Sequence, residues 1–134
     1  MKIMSPENFN SSILVQDIMT RALITVNFAT TALQVAKMME QGGIGAILVK
    51  DNDNPVGIVT DRDFATKIAA NNLPLNTAVE NIMSSPLITI NHNEPISAAA
   101  ERMTSKKIRK LAVTENGKVV GIITSTDLVT QLTK

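Results

Sequence analysis

Cysteine, tryptophan and tyrosine are absent from this chain of 134 residues, and phenylalanine occurs only three times. Without cysteine there is no disulfide, no thiolate nucleophile and no thiolate metal site, and nothing requires an oxidising compartment. With so few aromatic rings, a platform for stacking the bases of single-stranded nucleic acid is not expected. An excess of either charge is also missing. Lys and Arg total 13 against 12 Asp and Glu, so the basic field that drives nucleic-acid affinity is not visible. The single histidine, His92, cannot build a His-rich metal site; it reads as a solvated turn residue after a strand. Apolar runs extend only a few residues, and Pro6 and Glu7 stand where a secretory signal needs an apolar stretch. The expectation is a soluble cytoplasmic protein that contacts neither membrane nor nucleic acid.

What the chain has in abundance is repetition. At a constant offset of 64 residues, Val15-Gln-Asp-Ile-Met19 returns as Val79-Glu-Asn-Ile-Met83, and Gly57-Ile-Val-Thr-Asp-Arg-Asp63 returns as Gly121-Ile-Ile-Thr-Ser-Thr-Asp127. The register runs without a gap through Leu23-Ile24-Thr25 and Leu87-Ile88-Thr89, Met39 and Met103, and Val49 and Val113. The chain is therefore a tandem pair, residues 11–72 and 73–134, behind an extension, 1–10, that has no counterpart. That extension is read as either disordered or docked on a neighbour. A free unit of about 60 residues is marginal, so the two repeats are expected to share a core.

Each repeat reads strand, helix, strand, strand, helix after a short helical lead-in. In the first, strands are expected at 23–26, 46–49 and 56–60 and helices at 31–41 and 61–71, with Gly42-Gly43 ending the first helix and Asp51–Pro55 forming a hairpin turn. In the second, strands are expected at 87–90, 111–113 and 119–124 and helices at 94–106 and 125–132, with a Glu115-Asn-Gly117 turn. Apolar residues go most of the way round the middle helices, through Ala32, Leu33, Val35, Ala36, Met38 and Met39 and through Ile96, Ala98, Ala99, Ala100 and Met103. A surface helix needs one apolar stripe, so these helices are expected to face both their own sheet and a second subunit, in a homodimer.

Catalysis ranks well below binding. No nucleophile is flanked by a recognisable base, and the Asp61, Asp63 pair of carboxylates is not reproduced, because Asp61 becomes Ser125. Both copies keep Gly-x-x-Thr-x-x-Asp at a strand-to-helix junction: Gly57, Thr60 and Asp63, then Gly121, Thr124 and Asp127. Thr followed by an acidic residue three positions later is a helix capping arrangement. The same geometry suits a ligand, since Asp accepts hydrogen bonds from a ribose diol and helix N-terminal amides suit a phosphate. Spacing does not separate the two readings.

These signatures, with the Met19-Thr20 and Met83-Ser84 lead-ins and Gly43–Val49 against Lys107–Val113, resemble the CBS domain, named for cystathionine β-synthase, two of which in tandem form a Bateman module. The resemblance covers roughly residues 13 to 132. It implies an α/β (α+β) fold of two pseudo-symmetric repeats, with sheets packed together and helices outside. It further implies a stand-alone regulatory module, not an enzyme, that senses AMP, ADP or ATP, or else S-adenosylmethionine or NAD(H), without a catalytic cofactor or metal. The module would act on an unknown effector protein; a protein-interaction scaffold with empty clefts is the alternative. Carried over residue by residue, one cleft would combine Thr124 and Asp127 with Thr20, Ile24 and Ala46. The other would combine Thr60 and Asp63 with Ser84, Ile88 and Arg109. Asp would hold the ribose hydroxyls, Thr a phosphate, and aliphatic side chains the base. Guanidinium groups pair well with phosphate oxygens, so the Asp63 cleft would favour phosphorylated nucleotides.

Overall fold

The computed structural model describes residues 4–132. Along the chain come α1 (Val15–Ile18), β1 (Thr25–Asn27), α2 (Ala32–Gly42), β2 (Ala46–Asp51), β3 (Asn54–Thr60) and α3 (Asp61–Asp63). They are followed by β4 (Thr89–Asn91), α4 (Ile96–Lys106), β5 (Lys110–Glu115), β6 (Lys118–Thr124) and α5 (Ser125–Val129). The expected α/β pattern occurs twice, as two three-stranded sheets of order β1-β2-β3 and β4-β5-β6. In each sheet the first strand runs parallel to the second and the second antiparallel to the third. A parallel neighbour requires a crossover, which α2 and α4 supply.

The turns follow from residue type. Asn116 and Gly117 both take positive φ, 52° and 79°, as a two-residue hairpin requires. The first hairpin is tighter than the expected Asp51–Pro55 turn, because Asp51 pairs with Asn54 and leaves only Asn52 and Asp53 in the loop. Helix α2 starts on Thr31, which accepts a bond from the Gln34 amide at 3.2 Å while Gln34 Oε1 accepts one from the Thr31 amide at 2.9 Å. It ends on Gly43 at φ 62°, and α4 ends on Lys107 at φ 56° in the same left-handed conformation. Pro95 caps α4 from outside instead of lying in its first turn.

The final helix of each repeat is shorter than expected. After Asp63 the chain widens into π-type turns over Phe64–Ala69, with the Ala70 amide bonding the Ala65 carbonyl at 3.1 Å. The Asn71 side chain then takes the carbonyls of Thr66 and Lys67, and Asn72 turns left-handed at φ 53°. In the second copy the Thr130 hydroxyl takes the Asp127 carbonyl at 2.7 Å, and α5 stops at Val129.

The chain condenses into two units that cut across its sequence repeats: Ile24–Leu87, and Met1–Leu23 together with Ile88–Lys134. Each has its own core, and each core draws on both sequence repeats. Val79 and Ile82, from the start of the second repeat, are buried with Val26, Val35, Ile47, Val49 and Val59 of the first. Val15, from the first repeat, is buried with Ile90, Ile96, Leu111, Ile123 and Leu128 of the second. Burying each such side chain contributes on the order of 1.5–3 kcal/mol, so each lead-in is held by the repeat it did not come from.

Over its described residues the extension is ordered and packs on its own chain. Met4 and Phe9 are buried in the core that holds Val15, and Phe9 pairs with Leu132. Two large apolar side chains in so short a segment give it a reason to dock on its own chain. His92 is also not a solvated turn residue: it is half-buried, its Nδ1 lies 2.5 Å from Gln16 Oε1 and its Nε2 3.4 Å from Glu115 Oε1. Among the described residues, no helix is long and apolar enough to cross a membrane.

Candidate functional site

Strand β6 delivers Thr124 to the start of α5, and the turn that follows brings Asp127 back onto it. Asp127 Oδ2 accepts from the Thr124 amide at 2.9 Å and from its hydroxyl at 3.1 Å, while the Asp127 amide donates to Thr124 Oγ1 at 3.2 Å. Thr60 and Asp63 repeat this at the end of β3, with Asp63 Oδ2 accepting from the Thr60 amide at 2.8 Å and from its hydroxyl at 3.4 Å. The capping reading of the signature is therefore realised in both copies. It does not consume the whole of the carboxylate, because in each box the intra-box bonds fall on Oδ2.

The lead-ins complete these junctions from the side. Thr20 and Ile122 exchange backbone bonds, amide to carbonyl, at 2.9 Å each way. Ser84 and Ile58 do the same at 2.9 and 3.0 Å. Thr20 thus lies two residues from Thr124 across a bridge, and Ser84 two residues from Thr60. The signature glycines follow from this crossing: Gly57 and Gly121 are where Met83-Ser84 and Met19-Thr20 pass too close for a side chain.

The unit that holds Thr124, Asp127 and Thr20 also holds Arg109, whose carbonyl accepts from the Ser125 amide at 2.8 Å, and Ile88, whose carbonyl accepts from Ala112 at 3.1 Å. The unit that holds Thr60, Asp63 and Ser84 also holds Ala46, opposite Thr60 on β2, and Ile24, whose carbonyl accepts from Leu48 at 3.0 Å. Thr20, Ser84 and Arg109 are exposed, and Ile24 keeps 39% of its surface. Sequence reasoning missed Lys67: its ammonium pairs with Asp63 Oδ1 at 3.0 Å and donates to the Ile82 carbonyl at 2.7 Å. The spacing of four between Asp63 and Lys67 on one helical turn was the available signal. Among the described residues, no three His, Cys, Asp or Glu side chains gather as a metal site.

The two strand-helix-strand-strand-helix units, each with a Thr-x-x-Asp box at its final junction, coincide with two matches to the CBS domain, at residues 15–70 and 79–134. The chain belongs to the CBS domain family. A CBS domain-containing protein of Bacillus subtilis, YhcV, is 33% identical over 85% of this chain and 81% of its own length. An uncharacterised protein of Methanopyrus kandleri is 34% identical over 87% of this chain, which spans only 61% of that protein. Among solved structures, an uncharacterised protein from Pyrococcus horikoshii superposes with a TM-score of 0.86 at 30% identity, covering 90% of this chain and 92% of that one. A CBS domain pair solved in complex with 5′-methylthioadenosine and S-adenosyl-L-methionine superposes with a TM-score of 0.77 at 32% identity, covering 86% of this chain and 91% of that one. The CBS pair is a regulatory module, and this chain carries both members of one.

Proposed function

We propose that this CBS pair is a non-catalytic sensor of adenosine-containing nucleotides, AMP, ADP or ATP foremost. The observation that carries the reading is the doubled Thr-x-x-Asp box with a hydroxyl-bearing lead-in residue bridged two positions away: Thr124 and Asp127 with Thr20, and Thr60 and Asp63 with Ser84. Carboxylate oxygens outside the box accept a ribose diol, hydroxyls and helix-start amides suit phosphate, and Arg109 adds a guanidinium for it. Ile24, Ile88 and Ala46 supply apolar contact to the base. The complex of a structural neighbour with 5′-methylthioadenosine and S-adenosyl-L-methionine supports an adenosyl ligand and favours S-adenosylmethionine as the second reading.

The protein acts as a cytoplasmic homodimer that passes a change of shape to an effector. Exposed Leu33 on α2, with 41% of its surface open, supports a second apolar contact for that helix. The test is a thermal-shift series with AMP, ADP, ATP, S-adenosylmethionine and NADH, with Asp63→Asn and Asp127→Asn as controls. A ligand that binds the native state raises the melting temperature. A shift that vanishes in one Asp variant supports the sensor; no shift with any ligand at saturation replaces it with the empty-cleft scaffold.

A further inference from the structure

The two signature carboxylates are chemically unequal. Asp63 is 5% exposed; its Oδ2 is held by Thr60 and its Oδ1 by the Lys67 ammonium at 3.0 Å. That ammonium also donates to the Ile82 carbonyl at 2.7 Å, with the Met83 carbonyl at 3.5 Å, so its close neighbours are protein acceptors. The bonds to residues 82 and 83 also tie the helical turn after β3 to the lead-in that carries Ser84.

The second copy has no such clamp. Gln131 stands where Lys67 does, and its amide turns to the Thr130 hydroxyl at 3.4 Å. Asp127 is only half-buried and its Oδ2 is held by Thr124; among the described residues no cation pairs with it. A ligand diol reaching Asp127 meets a carboxylate oxygen with its full acceptor capacity and charge. A diol reaching Asp63 competes with a buried, charge-assisted contact.

We infer that Lys67 sets the order of occupancy: the Asp127 box takes the adenosyl ligand first, and the Asp63 box is held in reserve by its ion pair. This rests on the nucleotide-sensing reading and adds to it the residue that makes the sites unequal. Isothermal titration of the full chain with AMP, and separately with S-adenosylmethionine, tests it. One strong site per chain is expected, retained in Asp63→Asn and lost in Asp127→Asn. Lys67→Gln, which makes the first copy resemble the second, should strengthen the weaker site at least about tenfold, the range of one hydrogen bond to a charged group. The reciprocal Gln131→Lys places an ammonium four residues from Asp127 and should weaken the strong site by a similar factor. Two equal sites in the wild type, or loss of the strong site in Asp63→Asn rather than Asp127→Asn, overturns the inference while leaving nucleotide sensing intact. Absence of binding by the wild-type chain overturns both. Melting curves of each variant separate lost binding from lost folding, and Gln131→Lys, on an exposed-to-intermediate turn, keeps the test open if Lys67→Gln does not fold.

Discussion

Gly121 lies directly against Thr20: a Cβ at Gly121 would stand 2.8 Å from the Thr20 carbonyl oxygen and 2.7 Å from Met19 Sδ. Its counterpart Gly57 has the same relation to Met83 and Ser84, at 2.6 and 3.0 Å. Neither glycine has positive φ, so space and not backbone conformation demands the residue. Gly121→Ala and Gly57→Ala should each cost about 1–3 kcal/mol through overpacking against a lead-in. Urea denaturation reads the loss; unchanged midpoints would mean that the lead-ins are free to shift.

Capping and binding separate by comparison of three threonines. Thr31→Ala and Thr124→Ala each remove a cap and should each lose about 1 kcal/mol. Only Thr124→Ala, and its companion Thr60→Ala, should also reduce a nucleotide-induced rise in melting temperature. Equal ligand response in the Thr31 and Thr124 variants would reduce the signature to a helix cap.

Lys107 occupies the left-handed position that Gly43 fills in the other copy, at φ 56°. A side chain there costs on the order of 1 kcal/mol, so Lys107→Gly should stabilise the chain by about 0.5–1 kcal/mol, net of the flexibility glycine adds to the unfolded state. Gly43→Ala should destabilise it. Thermal unfolding of the pair measures both signs.

Acid sensitivity should trace in part to Glu94. Burial alone would raise its carboxyl, but the Asn91 amide at 2.9 Å and the Arg102 guanidinium at 3.3 Å outweigh burial and hold it below its ordinary value of 4.5. A carboxylate depressed in the folded state contributes stability that is present above pH 4.5 and is lost as pH falls through its lower folded value. Glu94→Gln should flatten that part of the stability curve and leave the curve near neutrality parallel to the wild type. An unchanged slope below pH 4.5 in denaturation experiments would assign the acid loss to other groups.

Arg109 is exposed immediately before β5. Arg109→Ala should weaken AMP and ATP, which carry phosphate, more than S-adenosylmethionine, which does not. Equal affinities across variant and wild type in a titration would remove Arg109 from the site.

Periodicity and the unbroken register were enough to read the order of elements and the positions of both boxes, because each repeat states the pattern independently. Helix ends were less legible: Asn71 and Thr130 stop their helices with side-chain bonds to carbonyls that no apolar pattern reveals. The exchange of lead-ins was not legible at all, since Val15 and Val79 have the same sequence neighbours whichever repeat buries them. Lys67 was illegible for a related reason. The repeat pattern states only what the copies share, and the clamp on Asp63 is a difference between Lys67 and Gln131.

The exchange of lead-ins fixes the order in which the molecule is completed as it is made. The unit Ile24–Leu87 is one uninterrupted stretch and has all its parts once residue 87 has left the ribosome. The other unit is split: Phe9 and Val15 precede that stretch, yet the strands and helices that bury them come only after Ile88. Its two pieces must find each other across the intervening stretch, a long-range closure that is slow compared with local contacts. The segment before Ile24 is therefore made well ahead of the residues that cover it, and until then its apolar side chains are what a chaperone or a protease would meet.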